Sequence, residues 1–247
     1  MPSPETTCVA ETTSVAGAYD SRVGACPGGP ADLEELGRAD AELAEAGAEA
    51  ILTWAAKRFG ESLVVASSFQ DAVLVDLVGR VVPATEVVFL DTGAHFPETL
   101  EYIATIRSLY PDLRLTVLEP AAEADAWPCG SDRCCELRKV APLQRLLAGR
   151  QAWVTGLKRV DTPDRQDAPV VGWDEPRGVA KVNPLATWSE EDVDRYVVAR
   201  GLPEHPLAAS GYRSIGCAPT TRPIGTGEDP RAGRWPGTTK TECGLHL

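Results

Sequence analysis

The residues of this chain best suited to chemistry are cysteines: the tandem Cys134-Cys135, Cys217 within Gly216-Cys217-Ala218-Pro219-Thr220, and Cys243 within Lys240-Thr241-Glu242-Cys243-Gly244-Leu245-His246. Adjacent thiols do not easily close a disulfide with each other, because their side chains diverge and the eight-membered ring is strained. A tandem pair therefore points to a shared acceptor such as a metal. Cys243 stands apart from that group. It neighbours Gly244 on a tail that could swing and present a sulfur nucleophile, with Lys240 and His246 near enough in sequence to favour the thiolate.

The surrounding pattern indicates what must position these groups. Apolar residues at helical spacing (Leu33, Leu36, Leu43, Ile51, Leu52, Trp54) predict one or two helices over residues 31–60. Leu63 to Ser67 is a short continuous apolar strand, followed by a turn and a helix through Ala72 to Val78. The order then repeats: a strand over Glu86 to Leu90, a helix over Phe96 to Leu109 with Leu100, Ile103 and Ile106 on one face, and a strand over Leu113 to Leu118. Cys135 to Leu147 reads as helix, Ala152 to Gly156 as a fourth strand and Val179 to Val182 as a fifth. Ser189-Glu190-Glu191-Asp192 carries a capping-box signature and opens a helix running to Arg200. Continuous apolar strands separated by helices predict an α/β fold with a doubly wound, mostly parallel sheet covered on both faces. The expected division is a flexible tail over 1–30, helices over 31–60, a nucleotide-binding core over 61–204 and an irregular segment over 205–247 that ends in the catalytic cysteine tail. Cys8 and Cys26 lie in the first of these and are expected to have no role.

Ligands of such a sheet sit beyond the carboxyl ends of its strands. After the first strand, Ser67-Ser68-Phe69-Gln70-Asp71 offers hydroxyls and free N–H groups at a helix start, where an anion can be cradled. After the second, Leu90-Asp91-Thr92-Gly93 places Asp91 to take a hydroxyl or amine. After the fourth come Lys158 and Arg159, with Arg165 in the next loop, as candidates to grip phosphate or sulfate oxygens. Lys139 lies one turn beyond Cys135, on the same face of a helix whose start would stabilise thiolates. No Gly-Lys-Ser/Thr triplet follows the first strand, so the nucleotide is expected to be held without phosphate cleavage.

Cys134-Cys135, Ser214-Ile215-Gly216-Cys217-Ala218-Pro219, Asp229-Pro230-Arg231-Ala232-Gly233-Arg234-Trp235 and Glu242-Cys243-Gly244-Leu245-His246 together resemble the assimilatory sulfonucleotide reductases, from about Leu63 to the end. The branch most similar is that of the bacterial adenosine 5'-phosphosulfate (APS) reductases. The strand-end loops likewise resemble those of the adenine nucleotide alpha hydrolase-like, or PP-loop, fold. The resemblance implies that Cys243 attacks the substrate sulfur, that Arg231, Arg234 and His246 contact the charged end of an adenylyl sulfate, and that thioredoxin or a similar dithiol releases sulfite. It also implies a [4Fe-4S] cluster on Cys134, Cys135 and Cys217, and no flavin or nicotinamide. The APS-reducing branch carries a second cysteine three residues after the first, and here that position is Thr220. Three outcomes follow: Cys129 supplies the fourth thiolate, the cluster persists with an outside ligand, or it is absent. The cluster-free branch, which reduces phosphoadenosine phosphosulfate (PAPS), carries Thr-Thr-Arg where this chain has Thr220-Thr221-Arg222. A nucleotide-binding iron–sulfur or sulfurtransfer module without reductase activity is the alternative from another class.

The net charge of −12 does not oppose an anionic ligand, because residues 1–50 hold ten acids against two arginines. From Gly211 onward there are five basic residues against three acids, so the local field there is mildly cationic. An acidic chain disfavours long nucleic acid as a partner. No apolar run spans a membrane, and the start carries neither a basic n-region nor an apolar h-region. Seven unevenly placed cysteines then read as reduced thiols or metal ligands in the cytoplasm, in a monomer or homo-oligomer.

Overall fold

A computed structural model describes residues 30–246, so the N-terminal segment with Cys8 and Cys26 lies outside the described residues. Helices α1 (Pro30–Leu43) and α2 (Ala48–Phe59) precede β1 (Leu63–Ala66), α3 (Val73–Val81), β2 (Glu86–Leu90), α4 (Pro97–Leu109) and β3 (Leu115–Leu118). Then follow α5 (Asp132–Cys135), α6 (Ala141–Leu147), β4 (Ala152–Thr155), β5 (Val171–Asp174), β6 (Val179–Val182) and α7 (Glu190–Arg200). The strands form one sheet in the order β3-β2-β1-β4-β6-β5, parallel throughout except where β5 meets β6. The chain reverses its direction of winding between β1 and β4. That is the switch point where a crevice opens in doubly wound sheets.

Successive strand residues divide between two cores. Leu63 and Val65 of β1, Val87 and Phe89 of β2, and Ala152 and Val154 of β4 pack with the apolar faces of α1, α2, α3, α4 and α7. Val64, Val88 and Trp153 point the other way, against Leu143 and Leu147 of α6 and Leu245 of the tail. Burying each such Val or Leu contributes roughly 1.5–3 kcal/mol, which is why these strands read as continuous apolar runs.

Three elements differ from the sequence expectation. Strand β5 was not foreseen, since Val171-Gly172-Trp173-Asp174 has no apolar run. It exists as the antiparallel partner of β6 across a turn in which Gly178 takes φ 64°, and Asp40 of α1 accepts from the N–H groups of Val170 and Val171. In α4 the buried stripe is Thr99, Tyr102, Ile103 and Ile106, while Leu100 is 46 % exposed. The polar members of that stripe face the C-terminal segment: Tyr102 Oη donates to Pro203 O, and Thr99 Oγ1 lies 3.0 Å from His205 Nε2. Between α5 and α6, Glu136–Val140 forms a π-helical turn, a wide geometry common at functional sites.

Beyond Gly201 the described residues form two short 3₁₀ turns and a bridge between Thr221 and Arg234. Gly233 is required at that bridge, because a Cβ there would lie 2.2 Å from Arg222 O.

Candidate active site

A cavity of about 220 Å³ opens at the carboxyl ends of β1, β2 and β4. The loop after β1 contributes Ser67, Ser68 and Asp71 to its wall. Ser67 Oγ accepts the Phe69 N–H at 3.2 Å, and Asp71 Oδ1 accepts the Val73 N–H at 3.0 Å, which opens α3. Phe69 holds φ 52°, a conformation unfavourable for a bulky residue, so the loop is strained where it turns back over the sheet. Burial raises the pKa of Asp71, opposed by the Val73 N–H and by Lys158.

Asp91 and Arg159 stand outside this cavity. Asp91 Oδ1 accepts the Gly93 N–H at 2.8 Å and so shapes its own turn, while Thr92 and His95 from the same loop reach the wall instead. Arg159 Nε donates to Ala168 O at 2.8 Å and braces a surface loop.

The remaining expected cations all border the cavity, but their charges are not equally available. Lys158 Nζ donates to Glu190 Oε1 at 2.5 Å and lies 3.4 Å from Asp161 Oδ1. Arg165 forks onto Glu242 at 2.6 and 2.8 Å and also donates to Asp161. Neither Arg234 nor Lys139 is ion-paired with a described carboxylate. Arg234 makes only 3.3 Å bonds to Ser214 Oγ and Ile215 O, and its Nε is buried without a partner. Burial, then Arg231 beside it, lowers the pKa of Arg234, which a bound anion would reverse. Gly216 makes this placement feasible: a Cβ there would sit 2.1 Å from Arg234 Nη2.

The tail is docked into the same cavity. Glu242 is 6 % exposed and anchored by Arg165 and by Thr162 Oγ1 at 3.2 Å, so the next residue, Cys243, is carried into the wall. Two residues expected to activate Cys243 do otherwise. Lys240 Nζ donates to Gly130 O, Asp132 Oδ1 and Cys135 Sγ. His246 stacks on Trp153 at 6.0 Å between centroids, and burial, with Arg165, Lys181, Arg177 and Arg231 nearby, holds its pKa well below 6.5. It is therefore neutral at pH 7, with its Nδ1 buried and unpartnered. Lys139 lies within electrostatic reach of the tail thiol instead: burial opposes its charge, but Cys243, Cys217 and Cys135 raise its pKa.

Behind Lys139 lies a second, smaller cavity bordered by Cys134, Cys135, Cys217 and Thr220. Ser131 caps α5, its Oγ accepting the Cys134 N–H at 3.2 Å. Sequence predicts thiolates stabilised at this helix start, yet burial raises the pKa of Cys135 despite Lys139 and Lys240. Cys129 joins the group, its thiol hydrogen-bonded to Cys217 and Cys134. The shared proton lowers the pKa of Cys217 and raises that of Cys129. Thr220 Oγ1 donates to Cys217 O at 3.3 Å and so turns onto its own backbone. Among the described residues no group of three or more His, Cys, Asp or Glu side chains is arranged to hold a metal ion.

Sequence reasoning missed Trp153, Glu242, Glu190 and Gly216 as parts of the site. Glu242 was within the quoted motif, but its partner Arg165 lies 77 residues away.

An anion-binding crevice at the switch point of a doubly wound sheet, with a thiol in its wall, defines a nucleotide-binding thiol protein. The phosphoadenosine phosphosulfate reductase domain model matches residues 62–223. The adenosine 5'-phosphosulfate reductase of Streptomyces coelicolor is 50 % identical over 218 residues, covering 85 % of this chain and 92 % of that protein. That of Mycolicibacterium smegmatis is 46 % identical, covering 87 % and 95 %. Among solved structures, phosphoadenylyl-sulfate (PAPS) reductase from Candida auris, in a phosphate complex, superposes with a TM-score of 0.67 at 27 % identity, covering 76 % of this chain and 97 % of that one. The FMN adenylyltransferase of Candida glabrata, at 15 % identity and a TM-score of 0.57, shares the fold. The chain belongs to the phosphoadenosine phosphosulfate reductase domain family.

Proposed function

We propose that this chain reduces adenosine 5'-phosphosulfate to sulfite and AMP in sulfate assimilation. The observation that carries the reading is Cys243, held in the wall of the strand-end cavity within electrostatic reach of Lys139, Arg231 and Arg234. The names of the relatives at 42–50 % identity support APS over its 3'-phosphorylated form. These cations also provide positive charge beside the reacting sulfur, where the oxygens of an anionic substrate must be held.

The Cys243 thiolate attacks the sulfuryl sulfur, forming an S–S bond as the S–O bond to the phosphate breaks, and AMP leaves with the bonding pair. Arg234 Nε and His246 Nδ1 meet oxygens of the charged end, a role supported by both atoms being buried without a partner. Ser67 and Ser68 face the nucleotide phosphate. The S-sulfocysteine is then attacked at Cys243 Sγ by one thiolate of a thioredoxin-type dithiol, which displaces sulfite. The second thiol of that donor closes its disulfide and returns Cys243 reduced, so the two electrons come from the dithiol. The cysteine usage fits a cytoplasmic setting.

Cys134, Cys135 and Cys217 would hold the iron–sulfur cluster that the family implies. Their soft donors and shared cavity fit it, whereas the Thr220 hydroxyl, turned onto Cys217 O, does not. When bound, such a cluster would tie the Cys217 loop to α5 and so hold Lys139 at the wall between the two cavities.

The test is Cys243→Ser. It is expected to abolish sulfite formation while leaving AMP binding intact, and wild-type protein mixed with APS and no dithiol should carry a sulfonate adduct on the C-terminal peptide. An adduct on Cys135 or Cys217 instead would remove Cys243 as nucleophile.

A further inference from the structure

We propose that Cys129 is the fourth thiolate ligand of an iron–sulfur cluster held with Cys134, Cys135 and Cys217, in place of the cysteine that Thr220 replaces. This rests on the reading of the smaller cavity as a cluster pocket.

The placement is carried by contacts from several segments. The Cys129 thiol reaches both Cys217 and Cys134, which are 83 residues apart in the sequence. Its backbone is pressed against the very residue it would replace: at Gly130, φ is 91° and a Cβ would lie 2.6 Å from Thr220 Cγ2 and 3.3 Å from Trp235 Cδ1. The Cys129-Gly130 turn therefore approaches the wall formed by Thr220, and only a residue without a Cβ allows it to come that close. Lys240 fixes the turn from the other side, donating to Gly130 O at 3.1 Å and to Cys135 Sγ at 3.5 Å. All four thiols are free.

The chemistry agrees with the contacts. An iron–sulfur cluster takes thiolates and discriminates against a hydroxyl, which is a harder donor and far more difficult to deprotonate. With Thr220 Oγ1 committed to a backbone carbonyl, Cys129 is the remaining described thiol in contact with the set. The Cys129 thiol interacts with each of Cys134 and Cys217, so loading must draw it away from them to make room for the cluster. Each coordinating thiol gives up its proton as its sulfur–iron bond forms, with iron and sulfide supplied from outside.

The experiment uses the full chain, purified without oxygen and reconstituted with ferrous iron and sulfide. Its readouts are iron and sulfide per chain, absorbance in the visible, and the melting shift produced by AMP. Wild type is expected to bind about four iron per chain. Cys129→Ser should lose at least roughly two thirds of that iron while retaining the AMP-induced shift, and Thr220→Cys added to Cys129→Ser should restore it. The rescue keeps the test meaningful should Cys129→Ser alone disturb folding. A Cys8→Ser, Cys26→Ser double variant should keep wild-type iron. Wild-type iron content in Cys129→Ser overturns the assignment, as does bleaching by the Cys8, Cys26 pair or binding of zinc in place of iron. If neither wild type nor Thr220→Cys takes iron, the cluster and this ligand both fall. Sulfite formation from APS then reports separately on the proposed activity.

Discussion

Glu242 determines how firmly the nucleophile is held, and Glu242→Gln measures it. The carboxylate receives two bonds from Arg165 and one from Thr162, with Arg231 Nη2 at 3.9 Å. Removing one member of a buried ion pair outright costs about 3–5 kcal/mol, whereas glutamine keeps the shape and one acceptor. Losing the charge but not the shape is therefore expected to weaken tail docking by about 2 kcal/mol, roughly a 30-fold rise in the undocked fraction. The assay is alkylation of Cys243, followed on the C-terminal peptide by mass spectrometry with reagent dilute enough that docking re-equilibrates between reactions. The rate then tracks the undocked fraction. Burial raises the Glu242 pKa, but Arg165 and then Arg231 pull it below its ordinary 4.5 overall. A lowered pKa means that the contribution to docking is complete above about 4.5 and is lost only as pH falls through the docked value. Measurements near neutral pH therefore see the full effect. An alkylation rate within twofold of wild type, with unchanged global melting, would refute the latch.

Three further outcomes are expected. Arg234→Ala should weaken APS affinity by about 1.5–3 kcal/mol by calorimetry, the usual loss for a hydrogen bond to a charged group, and an effect within about 0.5 kcal/mol would remove Arg234 from the binding of substrate. Gly216→Ala, whose Cβ would meet Arg234 Nη2 at 2.1 Å, should lower affinity in the same direction without touching substrate itself, and wild-type KM would show that Arg234 is not held by this loop. His246 has a docked pKa well below 6.5, set first by burial and then by Arg165, Lys181, Arg177 and Arg231. Its contribution to docking is thus complete above 6.5 and declines by about 1.4 kcal/mol per pH unit below it, so amide protection of the tail should fall across that window in wild type and less in His246→Asn.

The strands were legible because burial on both faces leaves a continuous apolar signature, as in Leu63 to Ala66 and Glu86 to Leu90. Helix α7 was legible because Ser189 and Asp192 close a capping box four residues wide. Strand β5 was not, since its existence depends on pairing with β6 and on Asp40 of α1, neither of which marks its own sequence. The site divides in the same way. Residue type and local motif located Cys243, Arg231, Arg234 and the tandem cysteines, whereas which cation stays free depends on carboxylates brought from elsewhere. Lys158 and Arg165 look equivalent to Arg234 in sequence and differ from it only through Glu190, Asp161 and Glu242. The roles of Lys240 and His246 were not legible for the same reason, because the fold sends one to Cys135 and the other onto Trp153.

The thiol pocket and the substrate cavity share a wall, and that dictates how experiments on either should be read. Lys139, Cys217 and Trp235 border both. Trp235 holds φ 44°, a left-handed conformation costly for a bulky side chain, and is kept there by its N–H bond to Thr220 O and by Arg234 and Lys240 over its ring. Arg234 precedes it in the chain and crosses Gly216, which in turn precedes Cys217. A change that moves Cys217 by a fraction of an ångström therefore displaces Gly216 and Arg234 together, because close-packed groups with no intervening void transmit such shifts rather than absorb them. Loss of APS affinity in a cysteine variant is accordingly no proof that the thiol touches substrate, and loss of iron in an Arg234 variant is no proof that arginine touches iron. Only Cys243 escapes this ambiguity, since a sulfonate adduct is a covalent mark left on the atom that reacted.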